Sequence, residues 1–389
     1  MGAARRRAVA AVVAAAVLSA AVLSAGGCTQ APSRLVEDAG GCGYKIAFFG
    51  ALSGGNANLG RHPHDGVRLA VDQYNAVNTA CPVELSDFDS QGDEKLAPDV
   101  AQRVADDPRI LGVVGPQFSG EAEAAVPVLD QYGVTAITAT ATRPALAEQG
   151  WKVFHRAIGS DAEQGPAAAR YIKRVLNSRR VIVIDDASAY GKGLSDEVRR
   201  VLAGVIVKSL SVRVKQTDFG REVADIAASQ ADAVFYGGYY AEAGPLLKQL
   251  RQSGVRAAFV AADGVKDPGL VEGAGVDAAE GAIFTCPCVP LDRIKGDFLA
   301  EFRAKYHREP GTYAAEAYDA ANILLAGINA GNHTRPSLLA YVDSYVGTGV
   351  TKSFKFDDRG EIASSSVAIW AYRVVDGRIV ADQLVQEDP

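Results

Sequence analysis

The chain has 389 residues, 48% hydrophobic and 22% charged, enough for two cores and unlike a disordered or fibrous composition. Its net charge of −6 at pH 7, with no long basic run beyond the N-terminus, excludes the clustered basic face of a nucleic-acid binder.

The first element lies outside any fold. Arg5, Arg6 and Arg7 precede an Ala/Val/Leu run over 8–23, the basic-then-apolar order of a secretory signal. The run ends at Ala25-Gly26-Gly27-Cys28. Small residues directly before a cysteine resemble a lipoprotein processing site. Residues 1–27 are therefore expected to be a signal peptide, and Cys28 to carry lipid at the outer face of the cell membrane. An uncleaved membrane anchor is the other reading of the same run. Residues 28–43 are polar with Pro and Gly and read as a flexible tether.

From Cys42 onward short apolar runs alternate with amphipathic stretches. Strands are expected over 45–49, 83–88, 110–114, 135–138, 181–185, 209–214, 233–236, 258–261 and 281–285. Helices are expected over 66–78, 98–106, 120–132, 164–176, 191–202, 222–229, 243–253 and 295–307. This order implies parallel sheets joined by right-handed crossovers, with ligands beyond the carboxyl ends of the strands. Helical patterns follow over 315–330 and 338–346. Then 351–356 and 366–375 read as antiparallel strands around the turn Asp357-Asp358-Arg359-Gly360.

With Cys28 assigned to lipid, four of the five cysteines remain. Cys42 and Cys81 each precede an expected strand. If those strands are parallel neighbours, their starts lie about 4.8 Å apart, close enough for a disulfide. Cys286-Pro287-Cys288 admits either two free thiols or a loop disulfide.

Several strand ends carry hydroxyl, glycine or acidic residues. The run 110–114 enters Gly115-Pro116-Gln117-Phe118-Ser119-Gly120 and then a helix; 135–138 enters Ala139-Thr140-Ala141-Thr142-Arg143-Pro144. Hydroxyls and unpaired amides at a helix N-terminus can hold a carboxylate without an arginine. Ser119 and Thr142 would serve equally well as plain N-caps. Asp263, after the strand 258–261, could pair with an ammonium or simply close a turn. A carboxylate site facing an acid would form a zwitterion trap.

Other chemistries find little support. The glycines at 50, 54, 55 and 60 lack both the Lys-Ser/Thr of a phosphate loop and the dinucleotide spacing. His62-Pro63-His64 has no carboxylate partner in the sequence and reads as surface loop rather than metal site. No nucleophile–base set is evident, so neither enzyme activity, a metal nor a cofactor is expected.

Taken together, 49–54, 66–71, 115–119, 137–144, 161–165, 189–193, 236–239 and 263–265 resemble, in order, the leucine/isoleucine/valine-binding proteins. The resemblance implies a type I periplasmic-binding-protein fold: two α/β lobes with doubly wound parallel sheets, three hinge crossings and a ligand cleft between the lobes. It puts 44–159 with 287–356 in the first lobe and 160–286 with 357–389 in the second, with crossings near Gly159, Cys286 and Asp357. It also implies roles. Ser119 and Thr142 would hold an α-carboxylate. The carbonyl of Thr140 and the carboxylate of Asp263 would hold the α-ammonium. Tyr190 and Tyr239 would close over the ligand, and Phe118 and Tyr313 would line its side-chain pocket. The implied partners are a small aliphatic amino acid and an ABC permease, and the chain would act as a monomer. Two departures stand out: Asp263 replaces a usual Glu, and Leu59 stands where a pocket aromatic is common. A lipoprotein sensor for an amide or other small metabolite is the rival reading.

Overall fold

The computed structural model describes residues 42–385; the signal segment and Cys28 lie outside the described residues. The chain opens as alternating strands and helices: β1 Lys45–Gly50, α1 Ala57–Val77, β2 Glu84–Asp89, α2 Ala97–Asp106, β3 Ile110–Val114, α3 Ser119–Gln131 and β4 Thr135–Thr138, then a short 3-10 turn, Pro144–Glu148, and β5 Phe154–Arg156. These strands form one parallel sheet in the order β2-β1-β3-β4-β5. Strands β1, β3 and β4 are buried along their whole length. That is why they read as continuous apolar runs rather than alternating ones.

The alternation resumes with α4 Asp161–Arg170, β6 Val181–Asp185, α5 Ala189–Leu202, β7 Ile206–Ser211, α6 Gly220–Ser229, β8 Ala233–Gly237, α7 Tyr240–Gln252, β9 Ala258–Ala261, α8 Pro268–Ala274, α9 Val276–Ala279 and β10 Ile283–Cys286. Helix α10 Phe298–Tyr306 packs on α1 and α11, with Phe298 and Phe302 against Leu69 and Ala315, and α11 Ala314–Asn329 and α12 Arg335–Asp343 pack back on the first sheet. Leu324, Leu325 and Leu338 share a core with Ile46, Val114 and Ile137. A small hairpin, β11 Val346–Thr348 with β12 Ser353–Lys355, follows. Finally β13 Trp370–Val375 and β14 Arg378–Leu384 add antiparallel strands to the second sheet, in the order β14-β13-β10-β9-β8-β6-β7.

Three expectations change here. The segments 351–356 and 366–375 do not pair with each other: the first closes on β11, the second on β10 and β14. The third crossing falls later than Asp357. Glu361 still bridges Arg156 beside β5, and Ile362 bridges Phe356 in the first core, so 357–362 belong with the first sheet. The crossings converge at Gly159, where a Cβ would stand 2.4 Å from Val367 and 3.3 Å from Pro287. His62-Pro63-His64 lies within α1, not in a loop; His64 meets Asp87 at 2.9 Å and His62 meets Asp267 at 3.3 Å.

Disulfides join Cys42 to Cys81 and Cys286 to Cys288. The first ties the start of the fold to the segment before β2. The second sits on the middle crossing, where the Tyr372 hydroxyl donates to the Cys288 carbonyl at 2.9 Å.

Candidate functional site

One cavity lies between the two sheets, lined by Leu59, Gln117, Phe118, Ser119 and Thr140 from one side and Tyr190, Tyr239, Asp263 and Gly264 from the other, with Tyr313 at the base of α11. The space left free between these walls is small, ≈ 20 Å³.

The first wall is built from the ends of β3 and β4. Gly115 turns away from β3 with its amide on the Ile137 carbonyl at 2.9 Å, and the Thr138 hydroxyl donates to the Pro116 carbonyl at 2.9 Å. The Thr140 hydroxyl donates to the Gln117 carbonyl at 2.6 Å, which locks the two loops together. The Gln117 side-chain oxygen accepts the Ala51 amide at 3.0 Å. Ser119 opens α3, almost fully buried, and its hydroxyl accepts the Arg143 amide at 3.3 Å. The first-turn amides and dipole of α3 thus stand at the cavity wall, where an anionic group is favoured. Beneath them Glu121 takes the Phe118 amide at 3.2 Å and the Ser90 hydroxyl. Burial pushes the Glu121 carboxyl up to about 7.

The opposite wall is acidic and aromatic. The Asp263 carboxylate accepts Gln164 Nε2 at 2.8 Å and the Tyr190 hydroxyl at 2.8 Å through the same oxygen, Oδ1. Burial raises the Asp263 carboxyl; the Tyr190, Gln164 and Tyr313 groups facing it oppose that rise. Tyr190 stacks on Tyr239 at 5.1 Å, and Tyr239 meets Phe118 edge-on across the cavity at 5.1 Å. Gly264 is required here, because a Cβ would stand 2.7 Å from the Gly238 carbonyl and 2.8 Å from the Tyr190 ring.

The walls also touch outside the cavity. The Tyr240 hydroxyl donates to the Gly55 carbonyl at 2.9 Å, Asn58 Nδ2 donates to Asp267 at 3.0 Å, and the Thr312 hydroxyl donates to the Lys266 carbonyl at 2.6 Å. This is a closed arrangement, with Ser119 1% and Asp263 4% exposed.

Seven of the eight ligand residues expected from the sequence therefore surround one cavity. Thr142 does not line it. It is fully buried behind the wall, and its carbonyl accepts the Asp161 amide at 2.8 Å. Sequence reasoning assigned no role to Gln117, Gly264, Gln164 or Asp161. All four stand inside the resembling segments, but their work depends on packing.

The periplasmic binding protein family matches residues 43–376. The chain belongs to that family. A Leu/Ile/Val-binding protein of Escherichia coli is 31% identical over 76% of this chain and 80% of its own length. A leucine-, isoleucine-, valine-, threonine- and alanine-binding protein of Pseudomonas aeruginosa is 28% identical over 84% of this chain and 89% of its own. Among solved structures, the branched-chain amino acid transporter substrate-binding protein LivJ of Streptococcus pneumoniae, in complex with isoleucine, superposes with a TM-score of 0.82. It shares 27% identity and covers 88% of this chain and 99% of its own. The leucine-binding protein LivK of Thermotoga maritima gives the same TM-score of 0.82 and 27% identity, over 88% of this chain and 98% of its own. The relatives are substrate-binding proteins of the leucine/isoleucine/valine-binding type, and this chain shares their two-sheet fold.

Proposed function

We propose that this chain is an extracytoplasmic, lipid-anchored binding protein that captures a small aliphatic amino acid and delivers it to an ABC importer. One observation carries the reading: a buried carboxylate, Asp263, and the N-terminus of α3 line opposite walls of one cavity between the two sheets. A zwitterion satisfies both ends, its carboxylate at Ser119 and the α3 amides, its ammonium at Asp263. The aromatic and aliphatic faces of Phe118, Tyr239, Tyr313 and Leu59 suit an apolar side chain. The ligands named for LivJ and for the Leu/Ile/Val-binding relatives agree with this chemistry.

Binding would work by hinge closure. The lobes, 44–159 with 287–362 and 160–286 with the C-terminal strands, rotate about crossings at Gly159, Pro287 and Val367. A ligand touching both walls favours the closed state by its differential contacts. The importer would read the closed form, and lipid at Cys28 would hold it beside the membrane.

The test is a thermal-shift screen against the common L-amino acids and small amides, on protein freed of trapped ligand. A ligand at 1,000 times its Kd adds about 4 kcal/mol of stability. A shift with isoleucine, leucine or valine supports the reading. A shift with an amide and with no amino acid would replace it with the sensor reading.

A further inference from the structure

Asp161, the first residue of α4, is fully buried immediately after the Gly159 crossing. Neither of its carboxyl oxygens receives a hydrogen bond. Such a group ordinarily finds donors or a cation. As a first-turn acid it gains from the helix dipole, but Ser160 already caps α4, accepting the Ala162 amide at 3.2 Å.

The groups facing Asp161 come from four other segments. Thr142, after β4, presents its hydroxyl without completing a bond; Arg156 comes from β5, Glu197 from α5, and Asp263 from the end of β9. Arg156 is committed elsewhere. Its Nη1 donates to the Ala141 and Arg143 carbonyls at 3.0 and 2.9 Å, while Nε and Nη2 hold Glu361. The half-buried Lys266 donates to Thr312 at 3.2 Å and sits 4.2 Å over the Tyr372 ring. Asp263 has Oδ1 engaged by Gln164 and Tyr190. Asp263 thus lines the cavity while Asp161 stands buried on α4 one turn before Gln164, which holds Asp263, and among the described residues no side-chain cation is bonded to either carboxyl.

We propose that Asp161 and Asp263 form a carboxyl pair that takes up the ligand's ammonium in exchange for a proton. This rests on the amino-acid reading above and adds to it how the site accommodates charge. Two like charges buried together cannot both ionise without a cation, so the pair holds one proton and titrates as a unit. When the ammonium enters, the shared proton leaves for solvent, both carboxylates are ionised, and the net charge at the ammonium end is unchanged, while the ligand's carboxylate is met separately at the α3 N-terminus. The directions agree. Burial and then the charge of Asp263 push the Asp161 carboxyl well up, against the Thr142 hydroxyl and Arg156. Burial likewise raises Asp263.

The experiment is calorimetric titration of the purified chain with L-isoleucine in phosphate and in Tris, from pH 5 to pH 9. One released proton makes the apparent enthalpy depend on the buffer, and affinity rises by up to about tenfold per pH unit while the pair still holds its proton. Asp161→Asn should abolish the proton release and flatten the pH slope. Its affinity should match the wild type at low pH and fall below it at high pH. A residue that only supports α4 would lower affinity without changing the slope, and that result overturns the pair. Wild-type binding with no proton release overturns it too, even if the variant does not fold, and leaves the proposed function standing. Failure of the wild type to bind any amino acid overturns both.

Discussion

The hydroxyl of Tyr190 donates to Asp263 Oδ1 at 2.8 Å and accepts the Gly264 amide at 3.2 Å, so one phenol fixes both the acid and the turn that carries it. Tyr190 is the second residue of α5, whose start is capped by the Ser188 hydroxyl on the Gly191 amide at 2.9 Å. The acid is therefore positioned by a helix from a different strand end. Tyr190→Phe keeps the ring and its stack on Tyr239 but removes the hydrogen bond to the carboxylate. A hydrogen bond to a charged group is worth about 1.5–3 kcal/mol. Affinity for isoleucine should fall about ten- to a hundredfold, read by calorimetry, with the fold intact by circular dichroism. Unchanged affinity would mean that Gln164 alone orients Asp263.

Removing the acid itself should cost more. Asp263→Ala leaves a buried ammonium with at most one carboxylate, and breaking such a pair costs roughly 3–5 kcal/mol. Calorimetry on the variant should find isoleucine binding weakened by at least a hundredfold. Retained micromolar affinity would move the ammonium site elsewhere.

The repeating strand–helix order was legible because β3, β4, β6 and β9 are short apolar runs buried on both faces, bounded by turn residues. Their expected limits match the observed ones residue for residue. Strand β5 was missed because Phe-His-Arg reads as polar. It is buried only because Arg156 reaches two carbonyls and Glu361, which lies 205 residues away in sequence. Helix α1 begins at Ala57, nine residues before the expected start, through a stretch whose His-Pro-His suggested a loop. Strand β7 was expected at 209–214 but occupies Ile206–Ser211, where half-exposed residues leave the register weakly marked. In the site, hydroxyls and an acid at strand ends could be read directly. The placement of Asp161 and Gln164 under Asp263 could not, since α4 belongs to a crossing that only the folded chain defines.

The contact of Asn58 with Asp267 joins the two walls outside the cavity. Asp267 is buried, which raises its carboxyl, yet His62, Asn58 and the Gly269 amide outweigh that and hold it below its usual value. Asn58→Ala removes a cross-cleft bond that, under the proposed hinge closure, forms as the lobes come together. Dissociation of isoleucine should accelerate about tenfold or more, with association little altered. Stopped-flow measurement distinguishes this from a fault in the pocket. An unchanged off-rate would show that the contact contributes nothing to closure.

Glu121 gives the fold a pH dependence of defined sign. The folded state keeps its proton up to about 7, whereas the reference value is 4.5. Between those values the folded state binds more protons than the unfolded one, so this group's contribution to stability falls as pH rises through that window and stays low above it. Glu121→Gln abolishes the titration while an amide oxygen can still accept the Phe118 N–H. Its midpoint of thermal unfolding should exceed that of the wild type at pH 8 and approach it near pH 4.5. A variant less stable at both values would show that the carboxyl's bonds to Ser90 and Phe118 outweigh the cost of burying it.

The disulfide between Cys42 and Cys81 closes a loop of sequence separation 39 and pins the start of β1 to that of β2. Loop-closure entropy for that length corresponds to about 4 kcal/mol lost from the unfolded state's advantage. Because Cys42 precedes β1, part of that value is forfeited if the segment before the strand merely frays before global unfolding. The paired Cys42→Ser and Cys81→Ser variant separates the two outcomes. A lowered denaturation midpoint together with faster amide exchange throughout β1 and β2 means the bond holds the whole sheet edge. Faster exchange confined to the first residues of β1, with the midpoint unchanged, means it serves only as an anchor between the fold and the segment leading toward Cys28. The parallel register from Lys45↔Glu84 to Gly50↔Asp89 makes the first outcome the expected one, since loss of the edge strand's tether is felt along all six pairs.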